Sequence, residues 1–149
     1  MTTVRALIGL PAVVGSRRAG RVIQAELSDD LTHLTGLWIH AGISGTRFIS
    51  ADSISVIGKQ VLLADDSGTR KRRGKKTLFR RAVGTDGSRL GAVTGAIIDE
   101  LSFRVEVLEI SLGLWDDLLY GRRYARSFTL NQASGSVIVD IAEIKKEVD

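Results

Sequence analysis

The chain has 149 residues, 44% hydrophobic and 26% charged, with 16 glycines, one proline and no cysteine; this fits one or two small globular domains and excludes disorder, collagen and disulfide scaffolds. Its net charge of +4 is local, because Arg70, Lys71, Arg72, Arg73, Lys75, Lys76, Arg80 and Arg81 place eight positive charges in a stretch without an acid, and the remainder is net negative. Apolar runs of a few residues fall far short of the ~18 to 20 that span a bilayer, and no signal-peptide pattern opens the chain, so a soluble cytoplasmic protein with no membrane partner is expected.

In chain order, the apolar spacing is short-period and β-branched. Val13-Val14 and Val22-Ile23 open the first half, and Ser28-Asp29-Asp30 marks a turn before the strand carrying Leu34, Leu37 and Ile39. Gly42-Ile43-Ser44-Gly45 reads as a hairpin loop, and Val61-Leu62-Leu63 closes the half. Asp65 to Thr69 leads into the basic stretch, read as a solvated connector. Thr85-Asp86-Gly87-Ser88 is a hairpin signal, and Asp99-Glu100 repeats the earlier acidic turn. Val105 and Val107 then share one strand face while Leu108 and Ile110 share the other, the phase slip of a β-bulge. Only residues 115–120 break the pattern: Trp115, Leu118 and Leu119 fall at i, i+3 and i+4 and predict one or two helical turns, with Asp116 and Asp117 at the start and Arg122 and Arg123 at the end, the favourable sense for the helix dipole.

A shift of 71 residues superposes Ala19-Gly20-Arg21-Val22 on Leu90-Gly91-Ala92-Val93, and Leu34, Leu37 and Ile39 on Val105, Leu108 and Ile110. Ala12-Val13-Val14 answers Ala82-Val83-Gly84 with a one-residue gap, and Val61 to Leu63 answers Val137 to Val139. Two like domains follow, 1–66 and 77–149, joined by a basic linker at 67–76. Each is poor in core, since a domain of ~60 residues buries only about 60% of its unfolded surface. Packing of the halves on each other, or dimerisation, would relieve that shortage.

The motifs Leu7 to Val13, Ala19 to Val22, Leu34-Thr35-Gly36-Leu37 and Phe48 to Ile54, with Arg89 to Val93 and Val105 to Ile110 in the second half, resemble the PRC-barrel family across residues 5–144. The resemblance implies an all-β fold of two tandem small PRC-type β-barrels with a short helix in the second half, where Trp115 to Arg123 stands in place of the later motif. It also implies a non-catalytic adaptor or scaffold role, since members mostly bind proteins, and it carries no shared catalytic residues.

Chemistry-bearing constellations are few. His33 and His40 are the only histidines and read as surface residues; no phosphate loop or Gly-x-Ser-x-Gly turn occurs; and the acid pairs suit turns and caps better than a calcium loop. Neither enzyme activity nor a metal or other cofactor is expected. Two features remain. Trp115, Leu118, Leu119, Tyr120, Arg122, Arg123 and Tyr124 form a candidate protein interface, with core filling as the rival role, for an unidentified protein partner or a second copy in a homodimer. The eight basic residues from Arg70 to Arg81 form a candidate nucleic-acid contact, for RNA or a ribosome, although no aromatic interleaves residues 70–78 to stack on bases.

Overall fold

The computed structural model describes residues 1–70, 78–140 and 143–145. Along the chain run β1 (Thr2–Thr3), α1 (Val4–Leu7), β2 (Pro11–Val14), β3 (Arg17–Leu27), β4 (Leu34–His40), β5 (Thr46–Ser50), β6 (Ile54–Ile57) and β7 (Leu62–Ala64). The second half supplies β8 (Arg81–Gly84), β9 (Arg89–Ile98), β10 (Val105–Ser111), α2 (Leu114–Tyr120), β11 (Arg123–Ala125), β12 (Phe128–Leu130) and β13 (Val137–Val139). One sheet has the order β5-β4-β3-β2-β7-β6 and the other β11-β10-β9-β8-β13-β12, with β1 added on β9. The orders match strand for strand, including one parallel pair each, β2 with β7 and β8 with β13.

The repeat extends to the irregularities. Ladder slips leave Ala19, Ile23 and Thr35 as extra residues in the first half and Leu90, Thr94 and Glu106 in the second, each pair 71 positions apart. The apolar pattern explains two of the three. Val22 with Ala25, and Leu34 with Leu37, sit in the same core at odd spacing, which a strand of period two can satisfy only by inserting a residue between them. The second-half slip predicted beside Val107 thus falls one residue earlier, at Glu106.

Closed barrels do not form. Each sheet stays open between its end strands, β5 and β6 in one and β11 and β12 in the other. Closure needs strands long enough to cover the stagger of a tilted barrel, and these end strands have only three to five residues. Nor does the Trp115 to Arg123 segment replace a later motif. It lengthens the β10–β11 hairpin, where the first half has the Gly42–Ser44 turn, and β11, β12 and β13 follow as counterparts of β5, β6 and β7.

The halves meet through their matching turns. His33 bridges Arg104, its own counterpart in the repeat, and the flanking bonds Leu34 N–H to Phe103 O and Val105 N–H to Thr32 O, both 2.8 Å, are related by the same shift. A local pseudo-two-fold relates the two turns. Beneath them one apolar cluster takes residues from both halves, among them Leu27, Leu34, Ile98 and Ile110. Leu31 is fully buried there despite a φ of 59°, so packing holds a conformation that costs a non-glycine residue free energy. The amino-terminal segment crosses over, β1 pairing with Ile97 and Ile98 of β9. Thr69, inside the expected linker, pairs its backbone with Phe48 on β5.

Acidic side chains close both turns. Asp30 Oδ1 accepts from Ser28 Oγ at 2.6 Å, Thr32 Oγ1 at 2.6 Å and Thr32 N at 3.1 Å. Asp99 does the same for Leu101 N and Ser102 N. The hydroxyls of Ser28 and Thr32 hold the Asp30 carboxyl down at about 2, against an ordinary 3.8.

Two outcomes follow from this architecture. Acidification through the ordinary carboxylate range should weaken the joint, because stability tied to a depressed carboxyl is full above the unfolded value near 3.8 and fades as pH falls toward 2. Asp30→Asn should flatten that decline, read as melting temperature against pH; an unchanged acid limb would deny Asp30 the role. A Cβ at Gly91, where φ is +118°, would lie 2.1 Å from Ser111 O, and one at Gly20 would lie 2.4 Å from His40 O, whereas a Cβ at Gly15 meets nothing within 4 Å. In urea denaturation Gly91→Ala should lose about 2 to 5 kcal/mol, and Gly15→Ala, which bears only the cost of positive φ, about 1 to 2 kcal/mol.

Candidate functional site

Helix α2 stands out from the sheets. None of its residues is buried: Leu114, Trp115, Leu118, Leu119 and Tyr120 are all between 64% and 77% exposed. The rival core role for these side chains is therefore set aside. Seven residues do not hold a helix in water unaided, so α2 depends on its attachments. Gly113, with φ 138°, turns the chain off β10, and Gly121, with φ 74°, ends the helix by donating its N–H to Asp117 O. Asp117 is the anchor. Its Oδ2 accepts from Ser111 Oγ at 2.6 Å and lies 3.5 Å from Arg122 Nε, while Ser111 Oγ accepts from Gly113 N.

Arg122, Arg123 and Tyr124 are half-buried beside the helix rather than on its exposed face. Arg123 and Tyr124 belong to β11, opposite Ile110 and Glu109. Arg122 binds the Glu109 carboxylate at 2.5 Å, a contact that Thr94 Oγ1 joins at 3.2 Å and Arg5 Nη2 at 3.4 Å. This network was not anticipated from the sequence. The clue available was the repeat itself, since Glu109 occupies the place of Trp38, which is fully buried against Phe48 with its Nε1–H donated to Glu26 at 3.1 Å.

Of the eight basic residues, Arg70, Arg80 and Arg81 are among the described residues. Arg70 and Arg81 are exposed, but Arg80 donates to Asp29 O at 2.7 Å and helps join the halves. Lys71, Arg72, Arg73, Lys75 and Lys76 lie outside the described residues. His33 and His40 are exposed at opposite ends of the β4 segment. Among the described residues no three of His, Asp or Glu gather to hold a metal, and no helix is long and apolar enough to cross a membrane. Besides Asp30 and Asp99, Asp66 and Asp86 also accept turn backbone N–H groups, from Gly68 and Ser88, in keeping with the turn role read from the sequence.

The sequence matches no protein-family model, and no curated protein matches it. The site is therefore read from its own geometry.

Removing the anchor should loosen the helix without unfolding the sheets. Asp117→Ala is expected to raise amide exchange across residues 114–120 by tenfold or more while strand protection stays within twofold. Equal loss of protection in β9 would mean that Asp117 supports the core instead.

Proposed function

We propose that this chain is a non-catalytic protein-binding scaffold of PRC-barrel type whose docking element is α2, and that a second copy of the chain is the occupant. The observation that carries the reading is an anchored helix whose large apolar side chains are all left in solvent. Exposed apolar clusters of that kind mark interaction surfaces, and Trp, Tyr and Arg are the residue types that dominate interface energetics.

The size of the apolar patch and its single occurrence in the repeat favour self-association. Asp116, exposed in the first turn of α2, puts an acid on the rim of the apolar patch, so the patch is not apolar throughout. The five apolar residues offer on the order of 700 Å² per copy, close to the ~800 Å² each partner contributes to a standard interface. The helix interrupts only the second half, so each chain carries one such patch, and a two-fold contact through it closes at a dimer.

An RNA- or ribosome-binding role through Arg70 to Arg81 is the competing reading, and it separates by salt. Sedimentation of the full chain over a concentration series should show a monomer–dimer equilibrium that salt shifts modestly. Trp115→Ala with Leu118→Ala should weaken dimerisation at least 30-fold with an unchanged circular dichroism spectrum. A wild-type monomer at every concentration would overturn the dimer, and RNA binding that falls steeply with salt would favour the rival.

A further inference from the structure

A pocket of about 320 Å³ lies in the first half, where β4 ends. His40, the last residue of β4, pairs with Arg21, so residues 17–20 of β3 overhang that end. Arg17 and Arg18 line the pocket from the overhang, Ser44 from the turn after β4, Arg47 from β5 and Ser67 from the segment after β7. Consecutive strand residues ordinarily project to opposite faces. The ladder slip at Ala19 interrupts that alternation, and both arginines reach the lining.

The charge of this pocket is one-sided. Three guanidinium groups line it and no carboxylate does. Among the described residues no acid stands within ion-pair distance of Arg17, Arg18 or Arg47. Asp66, beside Ser67 in the chain, is engaged elsewhere: its Oδ1 accepts from Gly68 N at 2.7 Å and its Oδ2 from Ser53 Oγ at 2.9 Å. Like charges gathered around one recess repel each other, and an anion bound among them removes that repulsion.

One of the three is held in place by neutral groups. Arg47 donates from Nε to Ser67 O and Gly68 O, both at 3.2 Å, and from Nη2 to Gly68 O at 2.8 Å. Those carbonyls are themselves fixed, because Thr69 exchanges both backbone hydrogen bonds with Phe48 on β5. The bonds orient the guanidinium without neutralising it and leave Nη1 without a partner among the described residues. Arg17 and Arg18, both exposed, have no such tether and are free to close on a ligand.

We propose that this pocket binds the phosphate monoester of a small polar molecule, of the class of a three-carbon polyol phosphate. A monoester carries about −1.5 to −2 charges at pH 7 and three acceptor oxygens. Three planar forks with no competing acid suit it better than a carboxylate, which offers one charge and two oxygens. The volume is at the lower end of small-molecule pockets, enough for on the order of ten non-hydrogen atoms, of which the phosphate takes about half. The hydroxyls of Ser44 and Ser67 face the rest of the ligand, and no aromatic ring lines the pocket, so the body is polar and not a base. A nucleic-acid strand is matched instead by a basic groove with stacking platforms, whereas these charges surround a single recess.

The test is an amide-resolved NMR titration of the full chain at fixed ionic strength with glycerol 3-phosphate, inorganic phosphate, the monoanionic diester dimethyl phosphate and neutral glycerol. Glycerol 3-phosphate should give saturable shifts at Arg17, Arg18, Ser44 and Arg47. It should bind at least threefold tighter than inorganic phosphate and tenfold tighter than dimethyl phosphate, with glycerol silent. Arg17→Gln combined with Arg18→Gln should weaken it tenfold or more without lowering the melting temperature. Arg89→Gln, at the repeat counterpart of Arg18, removes a charge from the other half and should leave affinity within twofold. Arg47→Lys keeps the charge but loses the fork, and should weaken binding at least fivefold. Shifts that do not saturate, equal weakening by Arg89→Gln, affinity that survives Arg47→Lys or the paired glutamines, or saturation along Arg70 to Arg81 in place of this pocket would each overturn the inference. Retention of the chain on phosphatidate vesicles against excess glycerol 3-phosphate would overturn it too, since the monoester recognised would then be a lipid headgroup. None of these outcomes depends on whether α2 mediates dimerisation.

Discussion

The structure depends on a short antiparallel contact between two turns. The backbone hydrogen bonds from Leu34 N–H to Phe103 O and from Val105 N–H to Thr32 O join one sheet to the other. Each half is too small to bury an adequate core alone, and the joint sets both apolar faces over one shared cluster. Everything that distinguishes the molecule follows from that geometry. Residues from the bulged parts of β3 and β9 line a common cavity between the halves, and β1 finds a second-half edge on which to pair. Asp30 and Asp99 matter because they shape the two turns that make the contact.

Duplication separates what the fold requires from what it permits. The requirements recur: glycine at 20 and 91, where the neighbouring strand's carbonyl comes too close for a side chain, and bulges at three matched positions in each half. What does not recur is free to serve something other than folding. The non-recurring features are few and clustered: an inserted helix with its apolar side chains in solvent, a carboxylate where the other half has a buried tryptophan, and a strained phenylalanine where the other half has glycine. In the first half the same places hold a short turn at Gly42–Ser44, the buried Trp38 and Gly9.

Many of the strands and turns were legible because they were written twice. The matched glycines, the apolar triplets and the acidic turns identified the repeat, and odd spacing between core residues announced one bulge, beside Val107, nearly in place; the slips at Ala19, Ile23, Leu90 and Thr94 were not read. Sheet closure was not legible, because it depends on strand length against stagger rather than on alternation, and the end strands are too short. The helix could be read from Trp115, Leu118 and Leu119, but its exposure could not: an i, i+3, i+4 stripe looks the same whether it faces a core or a partner. Glu109 passed unnoticed because a lone glutamate in a strand resembles any surface acid. Its meaning emerges only when Arg5, some hundred residues away, is brought beside it by the crossed-over amino terminus.

The exposed helix and the cavity are linked by one side chain. Arg122 places Nη1 on Glu109 in the cavity wall at 2.5 Å and Nε 3.5 Å from Asp117, the anchor of α2. A guanidinium divided between two carboxylates is a physical coupling, since any movement of the helix that draws Arg122 toward Asp117 slackens its hold on Glu109 and leaves that acid to Arg5. The exposed helix and the cavity wall are thus joined through a single residue, on the half of the repeat that has departed furthest from bare packing.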